Sequence, residues 1–242
     1  MTRTASTPGP QRAERSGLIR NAIGIGVYAG TFGMAFGAFA ATTGLEFWQI
    51  VVLSVVMFSG ASQFAFAGVV AIGGAPVAAV AAAVLLAVRN AFYGVPLSRV
   101  LRRDGWRRFT TAQLVIDEST AMSLGQPHRT SQRFAFFAGG LAVFVLWNVG
   151  TVAGALAGGA IDPERFGLGA AAPAAFLALL WPALTTAKAR LVAIGGGVVA
   201  FVLIPVAPAG VPVLAAALVA LAAGLTRRGE PTPRRDVKAT AR

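Results

Sequence analysis

The chain of 242 residues is 56% hydrophobic and only 12% charged, whereas about a quarter of the residues of a typical soluble domain are charged. Its net charge of +12 comes from arginine-rich tails and a loop at 99–108, which is typical of the cytoplasmic segments of a membrane protein and not of a nucleic-acid-binding surface. With no Cys and one His, disulfides are excluded and a thiolate or multi-His metal site nearly so, and we expect no cofactor.

Long apolar windows divide the chain. No Asp, Glu, Lys or Arg occurs within 21–45, 47–88, 134–161, 166–187 or 191–226, and each window can hold a membrane helix of about 20 residues. We therefore predict an all-α polytopic protein of a bacterial inner membrane, with about seven or eight transmembrane helices, some of them broken or re-entrant. Residues 18–226 form the predicted transmembrane domain, between a disordered cytoplasmic tail at 1–17 and a disordered basic cytoplasmic tail at 227–242.

Glycines are frequent in segment 1 (18–43) and segment 5 (134–160). Their spacing places small residues on one stripe of each helix, at Gly26, Gly30, Gly33 and Gly37 and at Gly150, Gly154 and Gly158. Such stripes favour close helix–helix packing in lipid, and the alternative is a backbone exposed to substrate at a helix break. The stretches 30–45 and 150–168 also resemble each other, which indicates an internal repeat unless small residues alone produce the match.

Segment 2 (47–72) carries polar residues at its centre, within FSGASQFAFAG (58–68). Gly60 and Ala61 permit a break, and an unwound turn there offers amide and carbonyl groups to a zwitterion, as discontinuous transporter helices do. The alternative is that Ser59, Ser62 and Gln63 only form hydrogen bonds between helices. We include all five residues in the candidate binding site.

Segment 3 (76–98) contains Arg89 and Asn90 in apolar surroundings. An arginine buried in lipid is costly and needs a partner or an aqueous cavity. The alternative is that the segment ends near residue 88 and that Arg89 extends to the headgroups. No further charge occurs before residue 99, which favours burial.

The loops fit a cytoplasmic N-terminus with one exception. Segments 6, 7 and 8 follow at 168–185, 189–207 and 211–226. Eight crossings place the loops at 126–133 and 186–190 inside, but they place the five arginines of 99–108 outside. Either the positive-inside rule fails there, or segments 3 and 4 are broken and re-enter from the cytoplasmic side. Because segment 4 (109–125) is short, and irregular backbone is tolerated where it lines a cavity, we favour partial re-entry.

Segment 4 holds two adjacent acids, Asp117 and Glu118. In a regular helix one polar stripe contains Thr110, Gln113, Asp117 and Thr120. Glu118 then lies about 100° away from Asp117. We expect Asp117 to face the transport path and Glu118 to be a structural partner, for example of Arg89. The alternative is that Asp117 caps a helix that starts there, with Glu118 in its first turn.

Four motifs occur in the order found in the AzlC family of bacterial branched-chain amino-acid permeases, which the chain resembles over about residues 20–226. They are GLEFWQ (44–49), MFSGASQFA (57–65), RNAFYG (89–94) and DEST (117–120). The family usually has Asn-x-Arg-His before the tyrosine, where this chain has Ala87-Val88-Arg89-Asn90. The arginine and Tyr93 are kept, but the first Asn and the His are lost, so the resemblance carries over neither a proton role for that His nor the family's exact substrate choice.

The resemblance implies export of leucine, isoleucine and valine, and sometimes of methionine or toxic analogues, with a small membrane subunit of the AzlD family as partner. The leading hypothesis is a proton-coupled secondary carrier, and the alternative is a passive facilitator or channel for small amphipathic solutes. An enzyme has little support, because no Ser–His or paired-His arrangement lies in the apolar windows. The candidate binding and translocation residues are Ser59, Gly60, Ala61, Ser62, Gln63, Arg89, Asn90, Tyr93, Asp117 and Glu118.

Overall fold

A computed structural model describes residues 12–101, 105–160, 177, 180–181, 184–207 and 211–225. In these ranges it contains no β-strand, and its helices are α1 (Arg12–Ala41), α2 (Phe47–Val56), α3 (Gly60–Ala71), α4 (Pro76–Ser98), α5 (Arg107–Gln113), α6 (Asp117–Leu124), α7 (Arg129–Ala160), α8 (Ala187–Leu203) and α9 (Val211–Leu225). The predicted all-α class is confirmed. Within the described ranges, α1, α4 and α7 are long and apolar enough to cross a membrane. We call the end of the bundle where α1 begins the inner end, and the opposite end the outer end.

Helices α1 and α7 pack side by side through their glycines. A Cβ atom added to Gly26 would lie 2.9 Å from the Ala142 carbonyl oxygen, and one added to Gly158 would lie 2.9 Å from Ala38 Cα. Because residue numbers rise together along both helices, α1 and α7 are parallel. At Gly37, Gly150 and Gly154 a Cβ would overlap backbone atoms of the facing helix. The packing interpretation of the glycine stripes is therefore confirmed, and Gly30 and Gly150, where the two similar stretches begin, face each other.

Segment 2 is broken at residues 57–59, between α2 and α3. Gln63 Nε2 donates a hydrogen bond to the Ser54 carbonyl oxygen at 3.3 Å. In a straight helix these residues would lie about 13 Å apart, so the chain turns back at the break. The Phe64 ring then packs against Phe36 and Phe39, towards the outer end of α1. Helices α2 and α3 thus form a re-entrant pair, the outer hairpin, which enters and leaves at the outer end.

Helix α4 crosses the whole bundle. It follows α3 after a tight turn, and its Ala79 packs against Val69 of α3, so the two helices are antiparallel. It continues without interruption to Ser98, at the inner end. The break expected in segment 3 is absent: α4 continues through Gly94 and Pro96.

Segment 4 is broken at residues 114–116, between α5 and α6. Asp117, at the start of α6, lines a cavity with Trp147 of α7, whereas Met122 packs against Leu18 and Ala135 at the inner ends of α1 and α7. Helix α6 therefore runs from the middle of the bundle back to the inner end. Helix α5 has 7 residues, about 10 Å, which joins the inner end to the middle but cannot cross the bundle. Segment 4 re-enters as predicted, and we call α5–α6 the inner hairpin.

The two hairpins remove the conflict in the charge distribution. With segment 2 returning to the outer end and α4 crossing once, the described parts of the loop 99–108 fall at the inner end. The N-terminus of α1 and the loop between α6 and α7 lie at the same end. These arginine-containing segments then share one side of the membrane, as the positive-inside rule requires. The windows counted as crossings 2 and 4 are pairs of half-helices.

The C-terminal helices α8 and α9 pack against each other and match predicted segments 7 and 8. Leu214 of α9 also contacts the α3–α4 pair. Predicted segment 6 lies mostly outside the described residues, as does the C-terminal tail. Helix α1 begins at Arg12, inside the tail predicted to end at residue 17.

Candidate functional site

The tips of the two hairpins meet beside α4 and α7 and border a cavity of about 120 Å³. Trp147 of α7, which lines this cavity, lies against Gly33 in the middle of α1. The cavity therefore lies near the middle of the bundle, at the depth where both hairpins break. Irregular backbone at this depth is tolerated because it lines a cavity rather than contacting lipid.

Seven of the predicted site residues line this cavity: Ser59, Gly60, Ala61, Arg89, Asn90, Asp117 and Glu118. The other three lie next to it. Ser62 and Gln63 are buried in the first turn of α3, and their side chains bond to protein groups. Tyr93 lies one turn beyond Arg89 on α4, with its phenol beside the Asp117 carboxylate. Residues distant in sequence are therefore brought together by the two breaks and α4.

The ionic contact in the cavity joins Arg89 to Asp117, not to Glu118. Arg89 Nη2 lies 2.9 Å from Asp117 Oδ2. The expected Arg89–Glu118 pair is therefore wrong, because the start of α6 points the Asp117 carboxylate at α4. Glu118 lines the same cavity without an ion pair in the described part of the chain.

The predicted separation of the two acids assumed a regular helix through segment 4. The break at 114–116 instead places Asp117 and Glu118 in the first turn of α6. The helix begins where the capping hypothesis supposed, but its N-cap is Ile116 and not Asp117. Because the cavity lies at the end of this helix rather than along its side, both side chains border it. The same break separates Gln113 from Asp117, so the predicted polar stripe does not form.

Trp147 is a cavity residue that the sequence reasoning missed. Its indole Nε1 donates a hydrogen bond of 2.9 Å to Gln63 Oε1, and its ring lies so close to Gly60 that a Cβ there would be 2.5 Å away. Trp147 thus fixes the start of α3 from the side of α7. An isolated tryptophan in a long apolar window carries no local signal of this role. A glutamine in a membrane segment, such as Gln63, does indicate a hydrogen bond to another helix.

Two helices begin at the cavity, α3 at Gly60 and α6 at Asp117. The first amide N–H groups of a helix have no intrahelical partner and carry a partial positive charge. At α6 the two acids offset this charge. At α3 the Ser59 side chain forms no capping hydrogen bond, and it accepts one from Ser62 Oγ instead. The start of α3 is therefore the electropositive end that faces the cavity.

Two side-chain oxygens in the cavity wall have no hydrogen-bond partner among the described groups. These are Asp117 Oδ1 and Asn90 Oδ1, and both atoms are buried. Buried oxygens of this kind need a donor from water or a ligand. The cavity thus offers acceptors at Asp117 and Asn90, and donors at Arg89 and the start of α3.

A cavity at mid-depth, built from broken helices and lined by an ion pair, is typical of membrane transport proteins. The comparison with known families agrees: the family described as AzlC protein matches residues 24–161, more than half of the chain and all of the cavity residues. The chain belongs to the AzlC family, a family of membrane transport proteins. No curated protein and no solved structure shows significant similarity to it.

Proposed function

We propose that this protein exports branched-chain amino acids, leucine, isoleucine and valine, as a proton-coupled secondary carrier together with a small AzlD-like membrane subunit. Methionine and toxic analogues are further candidate substrates. The observation that carries the proposal is the Arg89–Asp117 pair in a cavity where two hairpins break. The substrate class comes from the family, and the site chemistry supports it.

The charges in the cavity complement a zwitterion. A substrate carboxylate binds Arg89 and the first amides of α3, since arginine and helix N-termini are preferred partners of carboxylates. A substrate ammonium binds the Asp117 carboxylate and the side-chain oxygen Oδ1 of Asn90. Binding then replaces one ion pair with two, so that no net charge is added to a site of low dielectric constant. This exchange favours a zwitterion over a simple cation or anion.

The walls around these charges are apolar and limited in size. Phe58, Ile116 and Val143 line the cavity beside Trp147. A cavity of about 120 Å³ is slightly smaller than the roughly 150 Å³ cavity that holds one benzene molecule. Because leucine is larger than benzene, the cavity must widen to admit it, and its apolar walls favour an aliphatic side chain over a charged one.

The second carboxylate supports proton coupling. Arg89 balances the charge of Asp117, which leaves Glu118 as the group that takes up and releases a proton. Carboxylates at membrane depth are the usual proton carriers of pumps and transporters. In a passive facilitator, Glu118 has only a structural role.

The exposed face of α4 around Arg89 supports the proposal of a partner subunit. The Arg89 side chain is 48% exposed, and Val88 and Phe92 beside it are exposed as well. A guanidinium at this depth is costly against lipid, so a protein surface is needed to cover it. We assign this surface to the AzlD-like subunit that the family resemblance implies.

The test is uptake of labelled leucine into inverted vesicles that contain this chain and its small partner. With an interior more acidic than the exterior, we expect leucine to accumulate above its external concentration, and Asp117→Asn to abolish this accumulation. Equilibration that is independent of the gradient would favour the passive facilitator. Competition by unlabelled valine and isoleucine, but not by lysine or glutamate, checks the substrate class.

A further inference from the structure

The buried hydroxyls of the bundle differ in how well the protein satisfies them. Towards the outer end, Ser54 Oγ donates to Thr151 Oγ1. Towards the inner end, Thr120 Oγ1, Ser123 Oγ and Thr130 Oγ1 are buried and have no hydrogen-bond partner among the described protein groups. Thr120 and Ser123 are 6% and 0% exposed. A buried hydroxyl without a partner is costly, and native proteins usually satisfy such groups with bound water.

These oxygens continue a row that starts in the cavity. Asp117, Thr120 and Ser123 recur at every third position of α6, and residues three apart on a helix are neighbours, with Cβ atoms about 5–6 Å apart. One water molecule hydrogen-bonded to two such oxygens spans a gap of about this size. Because Met122 packs at the inner ends of α1 and α7, the row leads from the cavity to the inner end.

We propose that α6 carries a single file of ordered water that connects the cavity, where Asp117 and Glu118 lie, to the cytoplasm. Thr120 and Ser123 are its protein ligands, and Thr130 lies at its cytoplasmic mouth. Each hydroxyl donates one hydrogen bond and accepts another, so the file passes protons without passing the substrate. This inference rests on the proposed function, because the file is the cytoplasmic proton route of a coupled carrier.

Ser119 provides a matched comparison on the same helix. It is 0% exposed, as Ser123 is, but its Oγ accepts a hydrogen bond from the Ile116 amide and donates to the Leu114 carbonyl oxygen. Both serines are therefore fully buried, and only Ser123 requires water. A difference in reactivity between cysteines introduced at these two positions therefore reports hydration and not burial.

The chain contains no Cys, so single cysteines can be introduced without background. Thr120→Cys, Ser123→Cys and Ser119→Cys are expressed in the full chain with its small partner. Inverted and right-side-out vesicles are exposed to Ag⁺ in nitrate buffer, in the absence of substrate and of a pH gradient. Ag⁺ is small and reacts with the thiolate, which forms only in water. The reaction is measured as the loss of maleimide labelling after denaturation.

We expect Thr120→Cys and Ser123→Cys to react at least tenfold faster than Ser119→Cys, and faster in inverted vesicles than in right-side-out ones. Equal rates at Ser123→Cys and Ser119→Cys overturn the proposal, as does faster reaction from the outer side. If either variant fails to fold, Thr130→Cys reports on the same file. Since labelling needs neither substrate nor gradient, a carrier that proves passive leaves this result intact. If the labelling shows that α6 is dry, the water file is refuted, but coupled transport is not contradicted.

Discussion

Replacing Gly154 with alanine tests the parallel packing of α1 and α7. A Cβ at Gly154 would lie 2.7 Å from the Met34 carbonyl carbon and 2.9 Å from the Ala38 amide nitrogen. Both are backbone atoms that cannot rotate away, and non-bonded carbon contacts are optimal at about 3.5–4.0 Å. The two helices must therefore separate by roughly 1 Å. Overpacking of this kind costs about 1–3 kcal/mol, against a gain of about 0.5–1 kcal/mol for alanine over glycine in a helix.

Gly24→Ala is the control for this prediction. Gly24 lies on α1, the helix that faces Gly154, and a Cβ there would meet no atom within 4 Å. We expect Gly24→Ala to stabilise the protein by about 0.5–1 kcal/mol and Gly154→Ala to destabilise it by about 1–2 kcal/mol. In thermal unfolding in detergent, the two melting temperatures should differ by roughly 3–12 °C. A Gly154→Ala variant that melts at or above Gly24→Ala would refute the packing argument.

Three further predictions concern the cavity. Arg89→Gln removes a charged hydrogen bond worth about 1.5–3 kcal/mol, so leucine affinity in a binding assay should fall by roughly tenfold or more, and unchanged affinity would exclude Arg89 from the site. Glu118→Gln should abolish gradient-driven leucine accumulation but retain leucine counterflow, and retained accumulation would exclude Glu118 as the proton carrier. Trp147→Phe leaves the side-chain oxygen Oε1 of Gln63 without its donor, and should lower the free energy of unfolding by about 1–3 kcal/mol. In a double-mutant cycle with Gln63→Leu, a coupling energy near zero would contradict this hydrogen bond.

The sequence indicates the break in segment 2, though not that the chain turns back there, because this break has a local cause. Ser59 and Gly60 interrupt an apolar run with residues that tolerate an extended backbone, and Gln63 supplies the amide that satisfies the freed carbonyl groups. The glycine stripes are equally informative, because only a small residue permits the backbone contact that they form. The break in segment 2 and the glycine packing are therefore both caused by residue types that can be recognised in the sequence.

The inner hairpin is predicted only indirectly, from the shortness of segment 4 and the basic loop before it. The break itself falls within Leu114-Val115-Ile116, a run without Gly or Pro that has no turn signal. Its position depends on tertiary contacts, among them the Leu114 side chain packed beside Gly140 of α7. When the position of the break is not known, a helical wheel drawn through the whole of segment 4 assigns Arg89 to Glu118, whereas the structure pairs it with Asp117.

The two sides of the break between α2 and α3 differ in how well their backbone groups are satisfied, and this difference defines the charge preference of the cavity. The last carbonyl groups of α2 are covered by side-chain amides, from Gln63 to Met57 and from Gln113 to Val55 and Val56. Gln113 belongs to the inner hairpin, so this contact also joins the two hairpins. The negative end of α2 is therefore screened, while the positive start of α3 faces the cavity without a side-chain cap. A carboxylate is attracted to that end, and the acids at the start of α6 are left for the ammonium group and the proton.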